Sequence, residues 1–171
     1  MEFYTQNGWC GSNYKTDLSI KDICKEIRSF AKRFDGFKFS IRKSCYKTIY
    51  VTLKKSPVEI TNSKMMYDYF EENFSSCFWI EKKGNVCWYD LTESEKQSIA
   101  EEQAERRTKY CQLHGRLDKR DIWINPEVAE VLNAIQGFAY SFNYDDSDSQ
   151  IDSALASGNE INGFYLDVEI I

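Results

Sequence analysis

Residues 35–55 read DGFKFSIRKSCYKTIYVTLKK, and a change of period on entering this stretch decides the fold class. Before it, Ile20, Ile23, Cys24, Ile27, Phe30, Ala31 and Phe34 recur at the three-and-four spacing of one helix face, and Ser19 or Thr16 can cap the start. Asp35-Gly36 breaks that pattern, since glycine readily takes the left-handed backbone that ends helices. Beyond Gly36 the side chains alternate. Phe37, Phe39 and Ile41 interleave with Lys38, Ser40 and Arg42, and Ile49, Val51 and Leu53 interleave with Tyr50, Thr52 and Lys54. Alternation of this kind predicts two strands with one covered face, and the polar link from Lys43 to Lys47 has hairpin length.

The other periodic segments follow from the same rules. Met66, Phe70 and Phe74, four apart, predict a helix over 62–74. The runs 77–80 and 86–89 predict a short hairpin turning at Gly84-Asn85. Thr92 with Glu95 three residues later is a capping box, opening a long polar helix expected to reach about Leu113, ahead of Gly115. Asn125-Pro126 is a helix start, and Val128, Val131, Leu132, Ile135 and Ala139 form its buried stripe. Phe164, Leu166, Val168 and Ile170 alternate with Tyr165, Asp167 and Glu169 in a closing strand. The expected fold is α+β. It is an antiparallel sheet of about three to five strands, built from the 37–55 hairpin and the last strand and covered by helices, in one domain spanning 1–171.

Composition agrees with a folded chain. Of 171 residues, 42% are hydrophobic and 15% aromatic, with only two prolines, which separates the sequence from the disordered class. Apolar stretches are too short for a membrane span and the Met1 region lacks a secretory pattern, so the expected location is the cytoplasm. Six cysteines (Cys10, Cys24, Cys45, Cys77, Cys87, Cys111) contain no C-x-x-C pair and read as reduced, mostly buried small hydrophobes. The single histidine, His114, follows Cys111 by three residues without a second pair, so no zinc site is expected, and no cofactor either. A nucleophile would have only His114 as its base, and no phosphate-cradling glycine motif is present, so the chain reads as non-enzymatic.

Charge is the most informative feature. Residues 138–171 hold seven acids and no Lys or Arg, which leaves 22 bases against 20 acids, a net +2, in the first 137. Within the acidic segment, Asp145, Asp146, Asp148 and Asp152 crowd together. As a calcium loop starting at Asp146 the run fails, because its sixth position is Ile151 instead of glycine and its twelfth is Ser157 instead of glutamate. It is either a solvated loop or an acidic surface for a basic partner groove. The opposite sign collects on the hairpin, where Lys38, Arg42, Lys43, Lys47, Lys54 and Lys55 occur with no acid among them. Tyr46 and Tyr50 among these cations suit phosphate contact and stacking on unpaired bases, although Lys and Arg are also ordinary choices for a strand's wet face.

Two blocks, DLSIKDICKEIRSFAKRFDGFKFSIRKSCYKTIYVTL (17–53) and FAYSFNYDDSDSQIDSALASGNEINGFYLDVEI (138–170), resemble the large polyvalent-protein-associated domain numbered twenty-nine. Phe39, Ser40, Ile41, Arg42 and Tyr46 match its first strand-pair pattern, and Asn143, Tyr144, Asp145, Asp146, Ser147 and Asp148 match its second. After Asp152 the sequence SALASGNEING stands where the family continues with aromatics. The resemblance implies a protein of phages or conjugative elements acting against host defences. The function expected on that basis is an anti-defence, anti-CRISPR-like inhibitor. Its acidic residues Asp145, Asp146, Asp148 and Asp152 would engage a host defence nuclease or its ribonucleoprotein complex. The alternative is an accessory nucleic-acid-binding module using the hairpin cations.

Overall fold

The computed structural model describes residues 9–44, 48–73, 75–80, 83–109, 112–113, 123–145 and 165–170. The periodic stretch before Gly36 is helix α1, Ile20–Ala31. Ser19 caps it by accepting the Asp22 amide, while Gly36 adopts φ +78° beyond its end. The hairpin follows as β2, Lys38–Lys43, and β3, Thr48–Lys55. Ile41 faces Val51 and Phe39 faces Leu53, with a bulge beside Lys38.

The last strand, β8 (Tyr165–Ile170), lies beside β3, and the short β6 (Gln112–Leu113) lies on its far side. The β2-β3-β8-β6 sheet is mixed, which corrects the antiparallel expectation: β8 runs parallel to β3, pairing Ile49 with Leu166, Val51 with Val168 and Leu53 with Ile170. Parallel entry needs a crossover, and helix α4, Pro126–Tyr140, lies within the intervening chain and packs on the sheet. The inward faces of β2, β3 and β8 bury Ile41, Ile49, Val51, Leu53, Leu166, Val168 and Ile170. They pack with Ile23, Cys24, Ile27 and Ala31 of α1 and Val128, Leu132, Ile135 and Ala139 of α4. Phe30 stacks on Phe138 at 4.1 Å, joining the two helices. The α+β class stands, with a four-stranded sheet covered by helices.

A second apolar cluster collects α2 (Ser63–Glu72), the hairpin β4 (Cys77–Ile80) and β5 (Gly84–Cys87), and α3 (Glu93–Lys109). Ile80 pairs with Gly84 and Trp79 with Asn85, so Gly84-Asn85 is strand and not turn. Helix α3 stops at Lys109, short of the expected Leu113, because Gln112 and Leu113 leave it to pair with Glu169 and Val168. Trp88 fills the centre of this cluster. It lies in a one-turn 3₁₀ helix, Trp88–Asp90, and contacts the rings of Tyr67, Phe70 and Phe78.

Only Ala100 and Ala104 of α3 are buried in this cluster, so polar contacts hold much of the helix. The Thr92 amide donates to Glu95 and the Glu95 amide to the Thr92 hydroxyl, completing the capping box. Lys83 pairs with Glu95, Lys96 with Glu71 and Glu93, and Tyr67 donates to Glu93. No helix among the described residues is long and apolar enough to cross a membrane.

The ion pairs set an acid limit. The Lys83 ammonium, then the Thr92 amide and hydroxyl, hold Glu95 down to about 2 from the ordinary 4.5, and Lys96 lowers Glu71. A depressed folded value means that the contribution is complete above pH 4.5 and is lost as the pH falls toward 2. Thermal unfolding followed by circular dichroism across that window should show a falling midpoint. Lys83→Met should flatten the fall by returning Glu95 toward its ordinary value.

Candidate functional site

The β2–β3 hairpin places Lys38, Arg42, Lys43, Lys54 and Lys55 in solvent at one border of the sheet. Alternation sends Phe39 and Ile41 inward, so Lys38, Ser40 and Arg42 stand on the outer face. The bulge sets Lys38 opposite Lys55, with Lys54 as the extra residue. Lys43 departs from the expected common face. It shares the parity of Ile41, and its charge is felt at the buried Cys24 thiol of α1, so it stands at the core-side corner of the strand end. Burial is the larger influence on Cys24 and raises its pKa. Lys47 lies outside the described residues.

Two contacts organise this border. The Arg42 guanidinium sits 5.6 Å from the centre of the Tyr50 ring opposite it, a cation held over an aromatic face on the outer surface. Arg28 reaches from α1 to the edge strand and donates from Nε and Nη2 to the Ile41 carbonyl, at 3.0 and 2.5 Å. An edge strand exposes a row of unpaired backbone groups, and Arg28 occupies one of them. Among the described residues, none of the five hairpin cations has a carboxylate in ion-pair contact; the ion pairs fall on α1 and on the second cluster.

The outer face changes sign across the sheet. Glu169 of β8 is paired with Thr52, and the nearly buried Thr52 hydroxyl donates to its carboxylate at 3.3 Å. Asp167 is the register partner of Tyr50. Cations therefore line the border strand and the Glu169 carboxylate the third strand, two strand spacings or about 10 Å away.

The acidic run enters the described structure only at its root. Asp145 ends β7, Tyr144–Asp145, which pairs with β1, Trp9–Cys10, setting Asp145 opposite Trp9. Asp146, Asp148 and Asp152 lie outside the described residues. The β1–β7 pairing was not visible in the sequence, and Gly11 makes it possible. Its amide donates to the Asn143 carbonyl at 2.8 Å, and a Cβ at this position would collide with the Ser141 carbonyl group.

The cysteines differ from expectation. Of the four described, Cys24 alone is buried; Cys10 and Cys77 are exposed and Cys87 is half-buried. His114, Cys45 and Cys111 lie outside the described residues. Two surface grooves of about 520 and 500 Å³ run along α4, past Asn133 and Gly137, and between the 59–63 segment and α3, past Glu101 and Glu105. Among the described residues, no group of three or more His, Cys, Asp or Glu is placed to hold a metal ion.

Comparison with protein-family models, curated proteins and solved structures finds no match.

Arg28→Ala should leave the outward Ile41 carbonyl without its charged donor. The expected cost is about 1.5–3 kcal/mol in denaturant unfolding, and concentration-dependent association should appear in light scattering as the edge opens. A stable, monodisperse variant would remove Arg28 from the protection of the edge.

Proposed function

We propose that the chain is a non-enzymatic binding protein that contacts nucleic acid through the cationic border of the β2–β3 hairpin. The observation that carries this reading is the set of five exposed cations on two paired strands with no carboxylate partner among the described residues. Lys and Arg held in this way release counterions when they meet phosphates. At about 3.3 Å per residue, Lys38 and Arg42 stand about 13 Å apart along β2, so they reach different phosphates. The Arg42–Tyr50 pair adds a planar surface on which an unpaired base can stack. Backbone addition to the edge is the poorer mode, because Arg28 already holds the Ile41 carbonyl. Glu169 of β8 bounds the contact to the border strands.

Mobility-shift titrations with single-stranded and duplex DNA and RNA should show binding that weakens steeply with salt. The combined Lys38→Gln, Arg42→Gln and Lys54→Gln variant should weaken it on every sequence and flatten the logarithmic salt slope by about 2–3 units, near 0.9 for each phosphate that is no longer neutralised. Wild-type protein that fails to shift any of these nucleic acids at low salt rules the reading out.

One observation favours a second reading, an inhibitor of a host nucleic-acid-handling effector in the setting implied by the family resemblance. The acidic run starts at Asp145 from a paired strand, so its root is held by the β1–β7 ladder. An acidic sequence run that follows a paired strand suits the basic groove of a nuclease. Expression in cells carrying individual CRISPR or restriction systems should then protect targeted plasmids from one of them. Neutralising Asp145, Asp146 and Asp148 together should reduce that protection, whereas neutralising the hairpin cations should not.

A further inference from the structure

The β4–β5 hairpin carries a chemical feature independent of the nucleic-acid reading. Cys77 and Cys87 are direct partners across the antiparallel ladder. The Trp88 amide donates to the Ser76 carbonyl at 2.8 Å, so Ser76 and Trp88 form a hydrogen-bonded pair and Cys77 with Cys87 the adjacent non-hydrogen-bonded pair. Strands approach most closely at such positions, with Cα atoms about 4.5 Å apart, inside the 4.4–6.8 Å span of disulfides. Both side chains leave the same face of the ribbon. They lie on the opposite face from Phe78 and Val86, which pack into the Trp88 cluster. The Cys77 thiol is exposed and donates to the Ser75 carbonyl at 3.5 Å, beside the half-buried Cys87. Trp79, 77% exposed, stands next to them on the same face.

We propose that Cys77 and Cys87 form a reversible dithiol–disulfide site that reacts with low-molecular-weight disulfides. One thiolate attacks a sulfur of the oxidant, forming a mixed disulfide and expelling one small thiolate. The second cysteine loses its proton and attacks the protein sulfur of that mixed bond, expelling the other small thiol. The pair gives up two electrons and two protons, and the oxidant leaves as two thiols. The neighbouring Cys87 thiol, followed by burial, holds the Cys77 thiol above its ordinary value, so exchange quickens as the pH rises. Closure ties the two strands together one residue before Trp88, the central ring of the second cluster.

The test uses the full chain under native conditions with oxidised glutathione as the probe, followed by alkylation, trypsin digestion and mass spectrometry. Lys82 and Lys83 lie between the two cysteines, so cleavage yields separate peptides unless a disulfide joins them. The expected product links Cys77 to Cys87, lacks two hydrogens and is reversed by dithiothreitol. Its ratio to the dithiol should scale as the oxidised glutathione concentration divided by the square of the reduced concentration, as an internal disulfide requires, whereas a mixed disulfide scales as oxidised over reduced. Cys77→Ser should retain glutathione on Cys87. Two thiols that stay open to alkylation in the wild-type chain, or stable glutathione adducts on either without a link, would overturn the proposal; neither result depends on a variant that folds.

Discussion

The ladder between β3 and β8 is the constraint on which the rest of the sheet depends. It joins residues 48–53 to residues 165–170, and three of its pairs, Ile49–Leu166, Val51–Val168 and Leu53–Ile170, are buried on both strands. Each fully buried aliphatic side chain contributes about 1.5–3 kcal/mol of transfer free energy. These six residues thus supply a large part of the gain that offsets ordering the intervening chain. Without β8, β3 would lose a neighbour along its length and α4 would lose part of the surface that its Val128–Ala139 stripe covers.

The same register fixes the electrostatics of the opposite face. Side chains alternate with a period of two, so a slip of one residue would turn Leu166 and Val168 outward and carry Glu169 into the apolar layer. The burial of the aliphatic set therefore dictates that Glu169 lies on the outer face beside β3. The cations of β2 and the end of β3 remain at the border. Thr52 stands at the boundary, a nearly buried hydroxyl whose hydrogen bond to Glu169 satisfies both groups at the middle of the sheet. The cationic character of the border is thus a consequence of packing on the other side.

Local pattern was enough for the parts of this fold that local physics determines. The Ser19 and Asn125 caps, the Thr92–Glu95 box and the alternation in 37–55 and 164–170 each reflect interactions between residues close in sequence. The direction of β8 was not legible, because alternation is identical in parallel and antiparallel strands and only the path of the intervening chain distinguishes them. Two-residue strands such as β1, β6 and β7 are too short to show a period. The hairpin cations were legible as a group; their grip was not, since Arg28 contacts Ile41 from thirteen residues away and on another element. The thiol pair was hidden for a related reason. Nine residues lie between Cys77 and Cys87, and a turn at Gly84-Asn85 would shift the register from Ile80–Gly84 and separate them.

The two apolar clusters meet through a narrow strap, and this shapes how the molecule can respond to a change at either one. Asn62 donates its amide to the Trp123 carbonyl and Asn125 to the Ile60 carbonyl, both at 2.8 Å, around the Thr61–Ile124 bridge. The Trp123 ring touches both clusters and lies under the Arg107 guanidinium of α3 at 5.5 Å. Its indole N–H is buried without a hydrogen-bond partner among the described residues, a cost of about 1–3 kcal/mol that apolar contact on two sides must offset. The strap is thus held by a few backbone bonds and one imperfectly satisfied aromatic ring, while each cluster is closed by its own packing. Free energies of local opening follow buried contact, so the Trp88 cluster, smaller and reliant on ion pairs, should open at lower cost than the sheet. A chemical change on the β4–β5 hairpin would then act first on that cluster. The described links from there to the sheet that carries the cationic border are the 60–62 and 123–125 strap and the β6–β8 pairing that follows α3, both remote from the β2 edge.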